Sequence, residues 1–122
     1  LKFNEELPII YYEKAIEYLK EKTNKLTFNV FTDDLAWSKK QKIFKNAQNI
    51  FTSSDSPEDT LETFSLMLRN QNFIIANSTF SLLAAFLAEK SNSIITYPDP
   101  WFRSRSYNKN ITDNKWQKIK YS

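Results

Sequence analysis

Apolar and polar positions along this chain follow two periods that take turns. After Pro8, Tyr12, Ala15, Ile16 and Leu19 recur at i, i+3, i+4 and i+7, the apolar face of a helix that opens on proline. Leu26-Thr27-Phe28-Asn29-Val30-Phe31 then alternates with period two and is rich in β-branched and aromatic residues, which predicts a strand. Thr32-Asp33-Asp34 ends it, a short helix is expected through Trp37, Lys40 and Phe44, and Asn49-Ile50-Phe51 predicts a second short strand. Ser56-Pro57-Glu58-Asp59 supplies a serine cap, a proline at the first helical position and an acid at the third, so a helix starts there. Leu61, Phe64, Ser65 and Leu68 are its expected buried stripe.

The second half repeats the alternation. Phe73 to Ala76 reads as a strand, Thr79 to Glu89 as a helix and Ser93 to Thr96 as a last strand. Tyr97-Pro98-Asp99-Pro100-Trp101 predicts a rigid turn, because two prolines exclude helix; the segment around Trp116 is expected to be a short helix or an irregular tail. Strands alternating with helices predict an α/β fold with a Rossmann-like parallel sheet and helices on both faces. In such sheets ligands bind beyond the carboxyl ends of the strands, where the strand order reverses.

Two polar clusters fall at predicted strand ends. The apolar run Ile74-Ile75-Ala76 stops in Asn77-Ser78-Thr79-Phe80-Ser81, and an apolar helical segment follows from Leu82 to Leu87. Unsatisfied amides at a helix start favour an anion such as phosphate. The same residues describe equally well an ordinary N-cap at Ser78 or Thr79. The second cluster is Thr32-Asp33-Asp34, where Asp33 either lines a site or caps the next helix.

Composition narrows the chemistry. The 122 residues suffice for one domain with a real core, and 41% apolar with 16% aromatic content is a globular composition. A net charge of +3, with Lys14, Lys20, Lys25, Lys39, Lys45, Lys90, Lys109 and Lys120 scattered along the chain, reads as solvated faces and not as a nucleic-acid stripe. No Cys and no His are present, which removes disulfides, thiolate nucleophiles, imidazole bases and most transition-metal sites. The longest apolar stretch, Leu82 to Ala88, is too short to span a bilayer and no signal peptide is recognisable, so cytoplasmic residence is the expectation. The sequons at Asn77-Ser78-Thr79 and Asn110-Ile111-Thr112 carry no meaning in that compartment.

Glycine is absent altogether, although average usage of about 7% would supply roughly eight or nine. Asparagines in Asn70-Gln71-Asn72 or Lys109-Asn110 could adopt left-handed backbone instead. Codon bias would also enrich Asn and Lys, and a glycine-bearing loop could lie outside this sequence. A start at Leu1 without Met is consistent with a piece of something longer.

Five blocks occur together in a familiar order: Tyr11-Tyr12-Glu13-Lys14-Ala15-Ile16-Glu17-Tyr18-Leu19, Phe31-Thr32-Asp33-Asp34 with Trp37, Leu66-Met67, Ile74 to Ser81, and Pro98 with Trp101-Phe102. From about Leu7 to Trp116 the chain resembles the C-terminal part of the bacterial α-1,2-fucosyltransferases, glycosyltransferase family 11. That resemblance implies the nucleotide-sugar-binding half of a GT-B enzyme, inverting and metal-independent. Such an enzyme moves fucose from GDP-fucose to a galactoside hydroxyl in surface-glycan or lipopolysaccharide synthesis. It implies Asn77, Ser78, Thr79, Phe80 and Ser81 beside the diphosphate, Asp33 and Asp34 in the donor pocket, and Thr63 on the guanine side. The implied partners are the nucleotide sugar, a glycan acceptor and the N-terminal half of the same enzyme; no nucleic acid is expected, and peripheral contact with the inner membrane is. No cofactor or metal is expected.

The chain departs from the family in three places. The His-x-Arg-Arg-x-Asp motif, whose arginines serve the diphosphate, belongs just before Leu1 and is not in this sequence, so the piece alone is expected to be inactive. The Asp expected to read guanine is Thr63, and neighbouring Glu62 sits about 100° away around a helix. Two tryptophans after the serine block are Leu82 and Leu83. Of the arginines present, Arg69 is expected to be solvated, and Arg103 and Arg105 to be surface residues, with a donor or acceptor contact as the weaker reading. Trp37 and Trp101 read as packing residues and not as sugar platforms; Trp116 is left open. Two further readings of the same residues stand beside the family one. One is a Mg²⁺-dependent, receiver-like phosphotransfer module built on Asp33 and Asp34; the other is a degenerate domain that only packs against a partner.

Overall fold

The computed structural model describes residues 7–52, 56–101 and 115–121. Its elements run α1 (Ile9–Lys22), β1 (Asn29–Thr32), α2 (Leu35–Lys40), a 3-10 turn (Lys42–Phe44), β2 (Asn49–Thr52), α3 (Pro57–Met67), β3 (Phe73–Ile74), α4 (Thr79–Ala88), β4 (Ile95–Asp99) and β5 (Gln117–Lys120). Every ladder is parallel. β1 pairs with β2, matching Phe31 to Phe51, and β4 lies between β3 and β5, matching Thr96 to Ile74 on one side and to Gln117 on the other. Parallel neighbours need a crossover, and α2 with its 3-10 turn supplies it for the first pair, α4 for β3 and β4.

The α/β class expected from the alternation is what forms, with one difference. The strands make two parallel ladders, β1-β2 and β3-β4-β5, with no ladder joining them among the described residues.

Helices cover both faces of the three-stranded ladder because β3 alternates. Ile75, just past the end of β3, packs with Ala85, Ile95, Trp101 and Trp116 under α4. Its neighbours Ile74 and Ala76 point the other way, into Tyr11, Ala15, Ile119 and Tyr121 under α1. Period-two alternation thus puts consecutive residues into two different cores. Each fully buried Ile or Leu here is worth about 1.5–3 kcal/mol of transfer free energy. At the far end of α4 the Trp116 indole donates to Glu89 Oε2 (3.1 Å), while its ring packs on Phe86 with centroids 4.7 Å apart.

The local starts follow capping chemistry. Ser56 accepts from the Asp59 amide with Pro57 in the first turn, and Ser78 accepts from the Ser81 amide. Asp34, not Asp33, caps α2, accepting from the Trp37 amide at 3.0 Å. Pro8 stands in the cap position of α1 with extended backbone, one residue before the helix.

Several sequence expectations are corrected. β1 begins at Asn29 and includes Thr32, and the helix expected to reach Phe44 stops at Lys40 and gives way to the 3-10 turn. Leu61 and Ser65 of α3 are exposed, Leu61 at 68%, and Met67 is the buried residue of that helix. Tyr97-Pro98-Asp99 is not a turn but the end of β4, because a proline in a strand withholds only its own amide and leaves the neighbouring carbonyls to pair with β5. The segment after Trp116 is strand β5, whose Ile119 alone points into the core. No residue among those described has positive φ, so Asn70-Gln71-Asn72 turns without the left-handed backbone expected of it. Trp37 is half-buried, Trp101 and Trp116 are buried, and Arg69 is exposed; Arg103, Arg105 and Asn110 lie outside the described residues.

Candidate functional site

The junction between β3 and α4 is built by two serines. The Ser81 hydroxyl donates to the Ala76 carbonyl (3.1 Å) and lies 2.9 Å from the Ser78 hydroxyl, which in turn accepts the Ser81 amide at 3.1 Å. Both side chains are therefore spent on closing the turn. Asn77 is 3% exposed, and its amide donates to the Trp101 carbonyl at 3.1 Å, which ties the turn to the segment that follows β4. Tyr11 reaches in from α1: its hydroxyl donates to the Ile75 carbonyl, with the Thr96 carbonyl and hydroxyl at 3.4 and 3.5 Å. Burial pushes the Tyr11 phenol well above its ordinary range near 10, the Thr96 hydrogen bond opposes that and Tyr12 adds to it.

What remains available is the Thr79 hydroxyl and main chain. The Leu82 amide is taken by the Ser78 carbonyl and the Ser81 amide by the Ser78 hydroxyl. The Thr79 and Phe80 amides, the first two of α4, have no hydrogen-bond partner among the described residues. Thr79 is exposed, and the Phe80 ring stands edge-on to Phe64 of α3 with centroids 5.0 Å apart. Two free amides at the positive end of an α-helix are an anion-binding arrangement. Thr63, one residue before Phe64, is half-buried on α3.

The second cluster lies at the end of β1. The Asp34 amide takes the Thr32 hydroxyl as acceptor (2.9 Å), and the Asp34 carboxylate is used as the cap. That leaves the exposed Asp33 carboxylate without a partner among the described residues. No hydrogen bond or ring contact joins Asp33 and Asp34 to Asn77–Ser81 among the described residues, and no group of three or more acidic residues there could hold a metal ion. No helix among them is long and apolar enough to cross a membrane.

Of the residues the resemblance implies beside the diphosphate, Asn77, Ser78 and Ser81 also build the turn, while Thr79 and Phe80 stand at its open side. Tyr11 was missed as part of this junction. Its signals were a tyrosine one residue before the helical stripe and its place at the head of the first of the five blocks.

The class these features define is an α/β domain of parallel strands with a capped helix N-terminus open at a strand end. The chain belongs to glycosyltransferase family 11: the family model described as Glycosyl transferase family 11 matches residues 8–120. Among curated proteins it is 34% identical over 117 residues to the O-antigen biosynthesis glycosyltransferase WbnK of Escherichia coli, covering 94% of this chain and 37% of that protein. It is 38% identical over 115 residues to the alpha-1,2-colitosyltransferase of Escherichia coli, covering 89% of this chain and 38% of that protein. The chain thus spans well under half the length of these relatives. No solved structure matches it.

Proposed function

We propose that this chain is the nucleotide-sugar-binding part of a glycosyltransferase, with the Thr79 and Phe80 amides as the seat of the donor's diphosphate. The observation that carries the reading is the β3–α4 junction, a rigid turn whose side chains are self-satisfied and whose two leading amides are free among the described residues. A departing diphosphate gains negative charge in the transition state, and preorganised N–H donors stabilise that charge without reorganising. Asp33, a carboxylate without a partner among the described residues at the end of β1, suits sugar or ribose hydroxyls and not the phosphates, which it would repel. Asp34 orders that loop by capping α2.

The donor in this reading is GDP-fucose and the product an inverted α-1,2-linked fucoside on a surface glycan. Family membership supports the reaction class, and the names of the two relatives put O-antigen and an α-1,2 linkage within its range. Because one relative is named for colitose, the sugar is the part to test. The intact polypeptide is incubated with GDP-fucose, with GDP-linked sugars differing in the sugar, and with UDP-sugars, and release of free nucleotide is followed with a galactoside acceptor. Turnover of GDP-fucose with a new α-1,2 linkage supports the reading; turnover of another GDP-sugar alone overturns the fucose assignment, and turnover of UDP-sugars alone overturns the guanine assignment.

A further inference from the structure

The chain leaving β4 is poor in donors. Pro98 and Pro100 have no N–H, so Asp99 carries the one amide donor of residues 98–100, and the carbonyls do most of the holding. Tyr121, the residue after β5, takes two of them in a row. Its amide donates to the Asp99 carbonyl at 3.2 Å and its hydroxyl to the Pro100 carbonyl at 2.7 Å. The next carbonyl, that of Trp101, accepts from the Asn77 side chain at 3.1 Å. Three successive carbonyls are thus gripped, two from the β5 side and the third from the turn that opens α4.

The same link is packed as well as bonded. The Trp101 side chain is buried with Ile75 and Ala85 beneath α4. The buried Tyr121 ring stands edge-on to Tyr11 with centroids 6.2 Å apart, and the Tyr11 hydroxyl holds the Ile75 carbonyl, two residues before Asn77. The two tyrosines therefore fix the exits of β3 and β4 against each other. Ser78 and Ser81 close the turn locally, which sets its shape. Its place relative to β4 is set by Asn77 against the 100–101 segment.

The geometry points to Tyr121 as a positioning residue for the diphosphate site, acting through Pro100, Trp101 and Asn77 on the Thr79 and Phe80 amides. Those amides lie two and three residues beyond Asn77, and oriented donors lose much of their worth when displaced. The Tyr121 hydroxyl works without touching the ligand. It raises the fraction of molecules in which both amides stand where a diphosphate needs them, and apparent affinity scales with that fraction. Deleting the hydroxyl can cost no more than the net value of one neutral hydrogen bond, a loss of affinity of about two- to tenfold.

This role rests on the nucleotide reading, and the test separates the two. Amide NMR and calorimetric titration with GDP are run on the intact polypeptide and on Tyr121→Phe, which keeps the buried ring. The variant should bind GDP about two- to tenfold more weakly and shift the Thr79 and Phe80 amides before any GDP is added. With Asn77→Ala already present the Tyr121 change should have no further effect on affinity, because the link is then cut. Glu89→Ala, which takes the acceptor from Trp116 at the far end of α4, should bind GDP like the parent. Parental affinity in a folded Tyr121→Phe variant would overturn the proposal. So would equal weakening by Glu89→Ala, or a Tyr121 effect that persists undiminished beside Asn77→Ala. If saturating GDP leaves the parent's Thr79 and Phe80 amides unmoved, the nucleotide reading itself falls and this role falls with it.

Discussion

Replacing Thr79 with proline removes one N–H and one hydroxyl from the candidate site and nothing else that the fold uses, and Thr79→Ala, which removes the hydroxyl alone, isolates the amide. Thr79 is the first residue of α4, the position where proline is best tolerated because its amide has no intrahelical partner. The preceding residue is already compatible, since Ser78 has φ −127° and ψ 146°, the extended conformation that proline demands of its predecessor. The Ser78 cap on the Ser81 amide and the Ser81 bond to Ala76 are untouched. A hydrogen bond to a charged group is worth about 1.5–3 kcal/mol, so Thr79→Pro should weaken GDP binding by about 10- to 150-fold. Calorimetric titration of the intact polypeptide with GDP measures this, and a thermal melt of the same samples should change little. An unchanged GDP affinity in a variant that melts like the parent would refute the assignment of the diphosphate to these amides.

Three further outcomes follow from the packing. Tyr11→Phe removes the buried hydroxyl that holds the Ile75 carbonyl and should cost about 1–3 kcal/mol, a drop of several degrees in Tm. It should also flatten the alkaline limb. The phenol titrates higher folded than unfolded, so its stabilisation is complete below pH about 10 and is lost as pH rises toward the folded value; parallel melts of parent and variant that coincide across that range would contradict this. Asn77→Ala removes the buried amide that donates to the Trp101 carbonyl and should destabilise by about 1–3 kcal/mol in denaturant unfolding, while a cost of only a few tenths would show the bond to be dispensable. On the outer face of α4, Leu83 and Leu87 are exposed, Leu87 at 63%. Single changes to glutamate there should alter the stability of this chain by less than about 0.5 kcal/mol, and a loss of several would show that the face is covered.

Much of this fold was legible because its signals are local. Pro57 with Ser56 and Asp59 announces α3, the alternation at Phe28–Phe31 announces β1, and the stop at Asn77 announces the start of α4. The failures share a cause, since each depends on a distant partner. Tyr97-Pro98-Asp99 becomes strand only because β5 lies beside it, and Ile119 marks β5 only once α1 is known to cover it. Leu61 has the right spacing for a core stripe, yet α3 finds nothing among the described residues to bury it against. At the site the sequence located the turn but not the division of labour within it. Hydroxyls at Ser78 and Ser81 read alike whether they face a ligand or each other, and only their mutual 2.9 Å contact separates the two. Asp33 and Asp34 are adjacent and identical in sequence, and the cap at Trp37 tells them apart.

The central claim is that the leading amides of α4 hold the donor's diphosphate, and amide NMR during a GDP titration of the intact polypeptide tests it most directly. The account predicts saturable shifts at Thr79 and Phe80 larger than at Ser81, whose amide is already occupied by Ser78. Saturable GDP binding that leaves Thr79 and Phe80 unmoved would contradict it.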